Sequence, residues 1–277
     1  MKDAMCLMLL AGVLSAVCDG ADPVDVSGLP EGVERVEIFL LMGQSNMKGR
    51  GELPTSQTPH PRILNMNMAD DHWYPAEHPL HKAGIPGLID GSDNAGVGPG
   101  LDFAHDLIER DDKVLIVLVP CARGGSWIDL WGDGEELYEN AVRRAGKALA
   151  DFPEGKARVA GALWLQGESD SLEDRFAVYS DKLTDLIDRL RTDLNEPELP
   201  FVACTIGTFI QSDDGFLHVA EINATLLSLP ERVPNTACVD ARDLEDGHIG
   251  DFLHYNTEAQ EIIGKRYAAE YLRLIGE

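Results

Sequence analysis

Four short segments that lie far apart in this chain carry the side chains needed for acyl transfer. Ser45 follows the run Ile38-Phe39-Leu40-Leu41-Met42-Gly43-Gln44, where an apolar stretch breaks into a turn and offers one hydroxyl at its tip. A serine hydroxyl is a weak nucleophile until a neutral imidazole accepts its proton, and the imidazole needs a carboxylate to hold its tautomer. Asp251-Phe252-Leu253-His254 near the C-terminus supplies both groups, spaced so that one turn can send them to the same side. The tetrahedral intermediate also needs donors for its oxyanion, each worth about 2.7–4 kcal/mol in the transition state. The main-chain N–H groups of Ser45 and Gly124 and the carboxamide of Gln166 are of that type.

The elements that must bring these groups together are legible as alternating patterns. Short apolar runs rich in Val, Ile, Leu and Ala predict strands at 36–42, 113–120, 158–165, 201–206 and 236–240. Between and after them, apolar residues at helical spacing predict helices at 100–110, 135–150, 172–194, 216–229 and 257–275. Thr257 with Gln260 predicts a capping box for the last helix. Alternation of this kind implies a three-layer α/β/α sandwich around a central, mostly parallel five-stranded sheet with right-handed crossovers. Ligands of open parallel sheets collect beyond the carboxyl ends of the strands. The Ser45 turn, the Gly124-Gly125-Ser126 turn and Gln166-Gly167-Glu168-Ser169 all fall at such ends, and Asp251/His254 lies just ahead of the last helix. Asp240 and His248 are rival partners close by.

In order and spacing, Gly43-Gln44-Ser45-Asn46-Met47, Gly124-Gly125-Ser126, Trp164-Leu165-Gln166-Gly167-Glu168-Ser169-Asp170 and Asp251-x-x-His254 resemble the SGNH hydrolase superfamily, of flavodoxin-like layering. Within it the chain is most similar to the sialate O-acetylesterase domain group that includes carbohydrate esterase family 6, over residues 36–275. The resemblance implies Ser45 as nucleophile, His254 as general base, Asp251 as its orienter, and Ser45, Gly124 and Gln166 as the oxyanion hole. It further implies an acetylated carbohydrate as substrate, with deacetylation through an acetyl-serine and no cofactor. A sialate-directed or general short-chain esterase is the nearest alternative, and a non-catalytic carbohydrate-binding protein the alternative from another class.

Beyond these motifs the chain holds 277 residues with a formal charge of −25, which disfavours nucleic acid and anionic membrane surfaces as partners. No linker or repeat interrupts it, so a single domain over 33–277 is expected, acting as a monomer. Residues 1–21, with Lys2 ahead of an apolar run from Ala4 to Val17 and small residues after it, read as an export signal, hence a secreted or periplasmic protein without a membrane span. Outside that leader stand Cys121, Cys204 and Cys238, an odd number best read as buried thiols. The stretch 49–96 is long, proline-rich and irregular, and such loops commonly serve function. Its histidines, His60, His72, His78 and His81, lack metal-ligand spacing, and no metal is expected. Trp73 and Tyr74 are candidates to stack on a sugar ring, Glu168 is a candidate to shape or contact the substrate, and Trp127 and Trp131 could line the cleft or pack in the core.

Overall fold

The computed structural model describes residues 22–82, 94–210 and 215–277; the expected export signal at 1–21 lies outside them. Strand β1 (Arg35–Gly43) is buried from Val36 onward, the mark of a strand covered on both faces. It pairs in parallel with β4 (Val114–Pro120) on one side and β5 (Ala157–Leu165) on the other. Beyond β5 follow β6 (Phe201–Cys204) and β7 (Thr236–Val239), both parallel.

The sheet has seven strands rather than the five expected. Segment 49–96 adds β2 (Ile63–Met66), parallel to β4, and β3 (Trp73–Pro75), antiparallel to β2, giving the order β3-β2-β4-β1-β5-β6-β7. At four and three residues these strands are too short to show a period, and Pro75 is tolerated because β3 is an edge.

Helices close both faces. On one, α2 (Gly100–Ile108) and α7 (Thr257–Ile275) lie side by side, and the rings of Phe103 and Tyr271 meet Phe39 edge-on at 4.8 and 5.0 Å. A bulge in β5, where Ala160 is the extra residue between the partners of Ile38 and Phe39, sets Phe39 opposite Gly161, where any Cβ would crowd the ring at 3.3 Å. α3 (Glu136–Asp151) covers the other face, joined by α4 (Phe176–Asp193), α5 (Val219–Leu227) and the short α6 (Leu229–Arg232). The pattern expected at 172–194 begins as two 3-10 turns, Ser169–Ser171 and Glu173–Arg175, before α4. That expected from 216 starts only at Val219. The last helix is capped by Asn256, whose side-chain oxygen accepts from the Ala259 N–H at 3.0 Å, not by Thr257 with Gln260. Asn256 takes the role because its backbone is extended there, the conformation a cap requires.

With β4 and β5 on opposite flanks of β1, the chain reverses its direction of travel across the sheet at β1. The crevice at the carboxyl end of β1 is therefore the topological switch point.

Candidate active site

β1 ends at Gly43, whose φ of +132° and close approach to the Leu165 carbonyl leave no room for a side chain. The chain then turns into a four-residue helical turn, α1 (Ser45–Lys48), which sets Ser45 at its head, 4% exposed. His254 Nε2 lies 3.0 Å from Ser45 Oγ, and His254 Nδ1 lies 2.6 Å from Asp251 Oδ2. The other oxygen of Asp251 accepts the N–H groups of Leu253 and His254 at 3.0 and 2.9 Å, so one carboxylate both shapes the turn and orients the ring. Within this turn Phe252 adopts φ +53°, and its ring lies 4.3 Å from that of His248. Asp240, the rival carboxylate, is engaged by Arg242, and His248 accepts from the Gly250 N–H.

Burial lowers the His254 pKa below its ordinary 6.5, outweighing the opposing pull of Asp251, so the imidazole is neutral and able to accept a proton at pH 7. Burial acts in the opposite sense on Asp251, but the N–H bonds and imidazole contact together hold its carboxyl below the ordinary aspartate value.

The expected oxyanion donors are placed unequally. Ser45 and Gly124 both line the cleft. Gln166 is fully buried beneath it, and its Nε2 donates to Ser126 O at 3.0 Å, Asp170 Oδ2 at 2.5 Å and Gln44 Oε1 at 3.2 Å. Its donors are spent inside the protein because Asp170, itself anchored by the Ile128 N–H at 2.9 Å, faces it as an acceptor. Gln44, not Gln166, is among the residues that line the cleft. Its oxygen is held by Gln166 and by the Ser169 N–H at 3.3 Å, which turns its NH2 group away from both.

Glu168 also comes to the cleft wall but is only 1% exposed. Its Oε1 accepts from Asn46 Nδ2 at 2.5 Å, while its Oε2 is buried without a hydrogen-bond partner among the described residues. Burial pushes its carboxyl up to about 7, against the lowering bond from Asn46 and with Asp170 adding to the rise.

The cleft has a volume of about 340 Å³. Leu172, Phe216, Leu253 and Arg50 also line it. Phe216 is the aromatic that the sequence reading missed, absorbed there into a helical pattern. It precedes α5 and is fixed by an antiparallel bridge to Leu172. Trp73 and Tyr74 stand elsewhere. Trp73 is buried at the sheet edge with Nε1 bonded to Asp151 and its ring against Phe152, and Tyr74 bonds Asp70, because β3 pairs them with β2 two strands away from β1. Trp131 packs edge-on against Trp164 in the core, and Trp127 lies under the Arg175 guanidinium. Cys121 and Cys204 are buried thiols, the former pushed up to about 11 by burial. Among the described residues no three His, Cys, Asp or Glu side chains gather as a metal site, and no helix is long and apolar enough to cross a membrane.

This geometry agrees with what the chain is similar to. A probable carbohydrate esterase of Arabidopsis thaliana is 37% identical over 254 residues, covering 85% of this chain and 90% of the relative. The X-ray structure of an Arabidopsis thaliana protein superposes with a TM-score of 0.73 at 35% identity, covering 86% of this chain and 98% of that one. A probable 9-O-acetyl-N-acetylneuraminic acid deacetylase of Escherichia coli K12 is 29% identical over 201 residues, covering 57% of this chain and 61% of the relative. The family described as carbohydrate esterase, sialic acid-specific acetylesterase, matches residues 35–273. The chain therefore belongs to that family and is a carboxylic ester hydrolase of the carbohydrate acetylesterase kind.

Proposed function

We propose that this esterase removes O-acetyl groups from carbohydrates through an acetyl-serine formed on Ser45. The observation that carries the reading is the unbroken line Ser45 Oγ, His254 Nε2, His254 Nδ1, Asp251 Oδ2, with steps of 3.0 and 2.6 Å across the ends. Ser45 Oγ attacks the acetyl carbonyl carbon while His254 Nε2 takes its proton, and Asp251 stabilises the imidazolium. The C–O bond to the sugar then breaks, and His254 returns the proton to the leaving sugar oxygen. Water, deprotonated by the same imidazole, attacks the acetyl-serine; the bond from the acyl carbon to Ser45 Oγ breaks, His254 returns the proton to Oγ, and acetate is released.

The oxyanion of both tetrahedral intermediates is received by the main-chain N–H groups of Ser45 and Gly124, the two expected donors that line the cleft. The side-chain donor is Gln44, with Gln166 behind it fixing the orientation of its carboxamide. The apolar face of a pyranose rests on Phe216 and Leu172. A sialic acid O-acetyl ester is the second reading of the substrate, favoured by the family description and by the activity for which the Escherichia coli relative is named.

Acetate release from acetylated xylan, acetylated oligosaccharides and O-acetyl sialic acid, with wild type and Ser45→Ala in parallel, tests both parts. Wild-type release that disappears in Ser45→Ala supports the mechanism, and the preferred member of the panel names the sugar. Equal release by both proteins would remove Ser45 from the chemistry, and glycan binding without release would favour the non-catalytic alternative. Export is proposed on residues 1–21 alone, and the N-terminal sequence of protein recovered from the host's culture medium or periplasm checks it.

A further inference from the structure

The residue after the nucleophile carries an arrangement the mechanism above does not use. Asn46 is fully buried, and its carboxamide meets the peptide groups on both sides of His254. Its Oδ1 accepts the Tyr255 N–H at 3.0 Å, and its Nδ2 donates to the Leu253 carbonyl at 3.1 Å. The Asn46 carbonyl in turn accepts Gln260 Nε2 from the first turn of α7 at 2.9 Å. His254 is thus tied to the very turn that presents Ser45, whereas its other backbone bonds, its N–H donating to Asp251 and its carbonyl accepting from the Ile249 N–H, stay within its own loop.

An asparagine can satisfy such a pair of peptides in only one orientation, because exchanging its oxygen and nitrogen would set donor against donor at Tyr255 and acceptor against acceptor at Leu253. Glu168 reinforces that orientation, its Oε1 accepting from the same Asn46 Nδ2 at 2.5 Å. We infer that Glu168 is a positioning residue that acts through Asn46: it locks the carboxamide that clamps the backbone of His254 and so holds Nε2 at 3.0 Å from Ser45 Oγ.

The inference rests on the hydrolytic reading above and assigns Glu168 a task different from contact with the substrate. Among the described residues the second carboxylate oxygen, Oε2, is buried without a hydrogen-bond partner, and Asn46 is the side chain that bonds the carboxylate. Around it stand Asp170 on its own segment, Tyr179 from α4, Cys204 from β6 and Tyr255 from the His254 loop, none of them a cation. No positive charge among these neighbours competes with Asn46 for the carboxylate.

The test is steady-state kinetics of acetate release by wild type, Ser45→Ala, Glu168→Ala and Glu168→Gln. Glu168→Ala is expected to lower kcat about 10²-fold, the scale of a misplacement of about 1 Å between reacting groups, with KM unchanged. Glu168→Gln keeps an oxygen where Asn46 donates and is expected to recover most of kcat. A merely structural loss would not be rescued at unchanged KM in this way. Loss of activity in Ser45→Ala beside wild-type kcat in Glu168→Ala overturns the inference and leaves the hydrolytic reading standing. A raised KM at unchanged kcat overturns it by making Glu168 a substrate contact, and a loss as deep in Glu168→Gln as in Glu168→Ala overturns it by requiring the charge itself. Full activity in Ser45→Ala is instead the failure of the hydrolytic reading. If Glu168→Ala does not fold, Asn46→Asp, nearly isosteric but unable to donate to Leu253, must show the same fall in kcat at unchanged KM, and wild-type kcat there overturns the inference.

Discussion

The two halves of the Ser45–His254 pair are held in opposite ways. Ser45 stands at the end of a strand buried from Val36 onward, so the sheet itself sets its position. Asp251, at 39% side-chain exposure, and His254 sit on an irregular loop beyond β7, in a turn that holds Phe252 at positive φ. Regular structure places the proposed nucleophile, whereas a few side-chain-to-backbone bonds place the proposed base. A loop built in that way keeps its geometry only as long as each bond survives, so its partners carry more of the catalytic precision than their distance from the substrate suggests.

The sharpest way to break the comparison is at the chemistry itself. Ser45→Ala should lower kcat by about 10⁶-fold and His254→Ala by a similar factor, with the fold of each intact by circular dichroism, because loss of either unit disables the pair. Asp251→Asn should leave the fold intact and reduce kcat by about 10⁴-fold, since the imidazole tautomer is no longer enforced. Normal turnover in that variant would move the orienting role to another carboxylate.

Next in size is the oxyanion assignment. Gln44→Ala is expected to cost about 10²- to 10³-fold in kcat. Gln166→Ala should cost less if its task is to hold Gln44, and a larger loss in Gln166→Ala would return the donor role to Gln166. The pH profile then probes the base: kcat/KM rises as His254 loses its proton, so its acidic limb should have a midpoint below 6.5. A midpoint above 6.5 would mean that Asp251 outweighs burial.

A smaller effect concerns stability. Between 4.5, where an ordinary glutamate ionises, and about 7, where Glu168 does so in the folded protein, the unfolded chain releases a proton that the folded one keeps. Folding therefore weakens as pH rises through that window. Glu168→Gln removes this slope, so its melting temperature relative to wild type should climb from pH 4.5 to 7 and level off above. A flat difference in calorimetry would show that the carboxyl is not shifted. Smallest of all, Trp73→Phe should leave acetate release unchanged, because that indole serves the sheet edge.

The proposed catalytic pattern could be picked out of the sequence because its parts obey local rules. A buried strand ending in Gly43-Gln44-Ser45 and a dyad spaced by three residues leave marks that need no partner to be recognised. Strands β2 and β3 left none, since a run of three or four residues has no measurable period. The cap of α7 went to Asn256 because two hydroxyl- or amide-bearing residues stood side by side and only the backbone angle distinguishes them. Gln166 and Phe216 show a different limit. The residue types were visible, but whether an amide faces inward to Asp170 or outward to a substrate depends on neighbours from other segments. The clamp from Asn46 to the peptides beside His254 is wholly of that kind, as its partners are backbone groups that every residue has.

That clamp spans 207 and 209 positions, and the Gln260 bond 214. On a ribosome adding about 5–20 residues per second, Ser45 emerges roughly 10–40 s before the residues that activate it. Through that interval the nascent chain owns a nucleophile with no base, and its hydroxyl is as inert as any surface serine. On the proposed mechanism, the order of synthesis thus acts as a built-in delay before the base can reach the nucleophile.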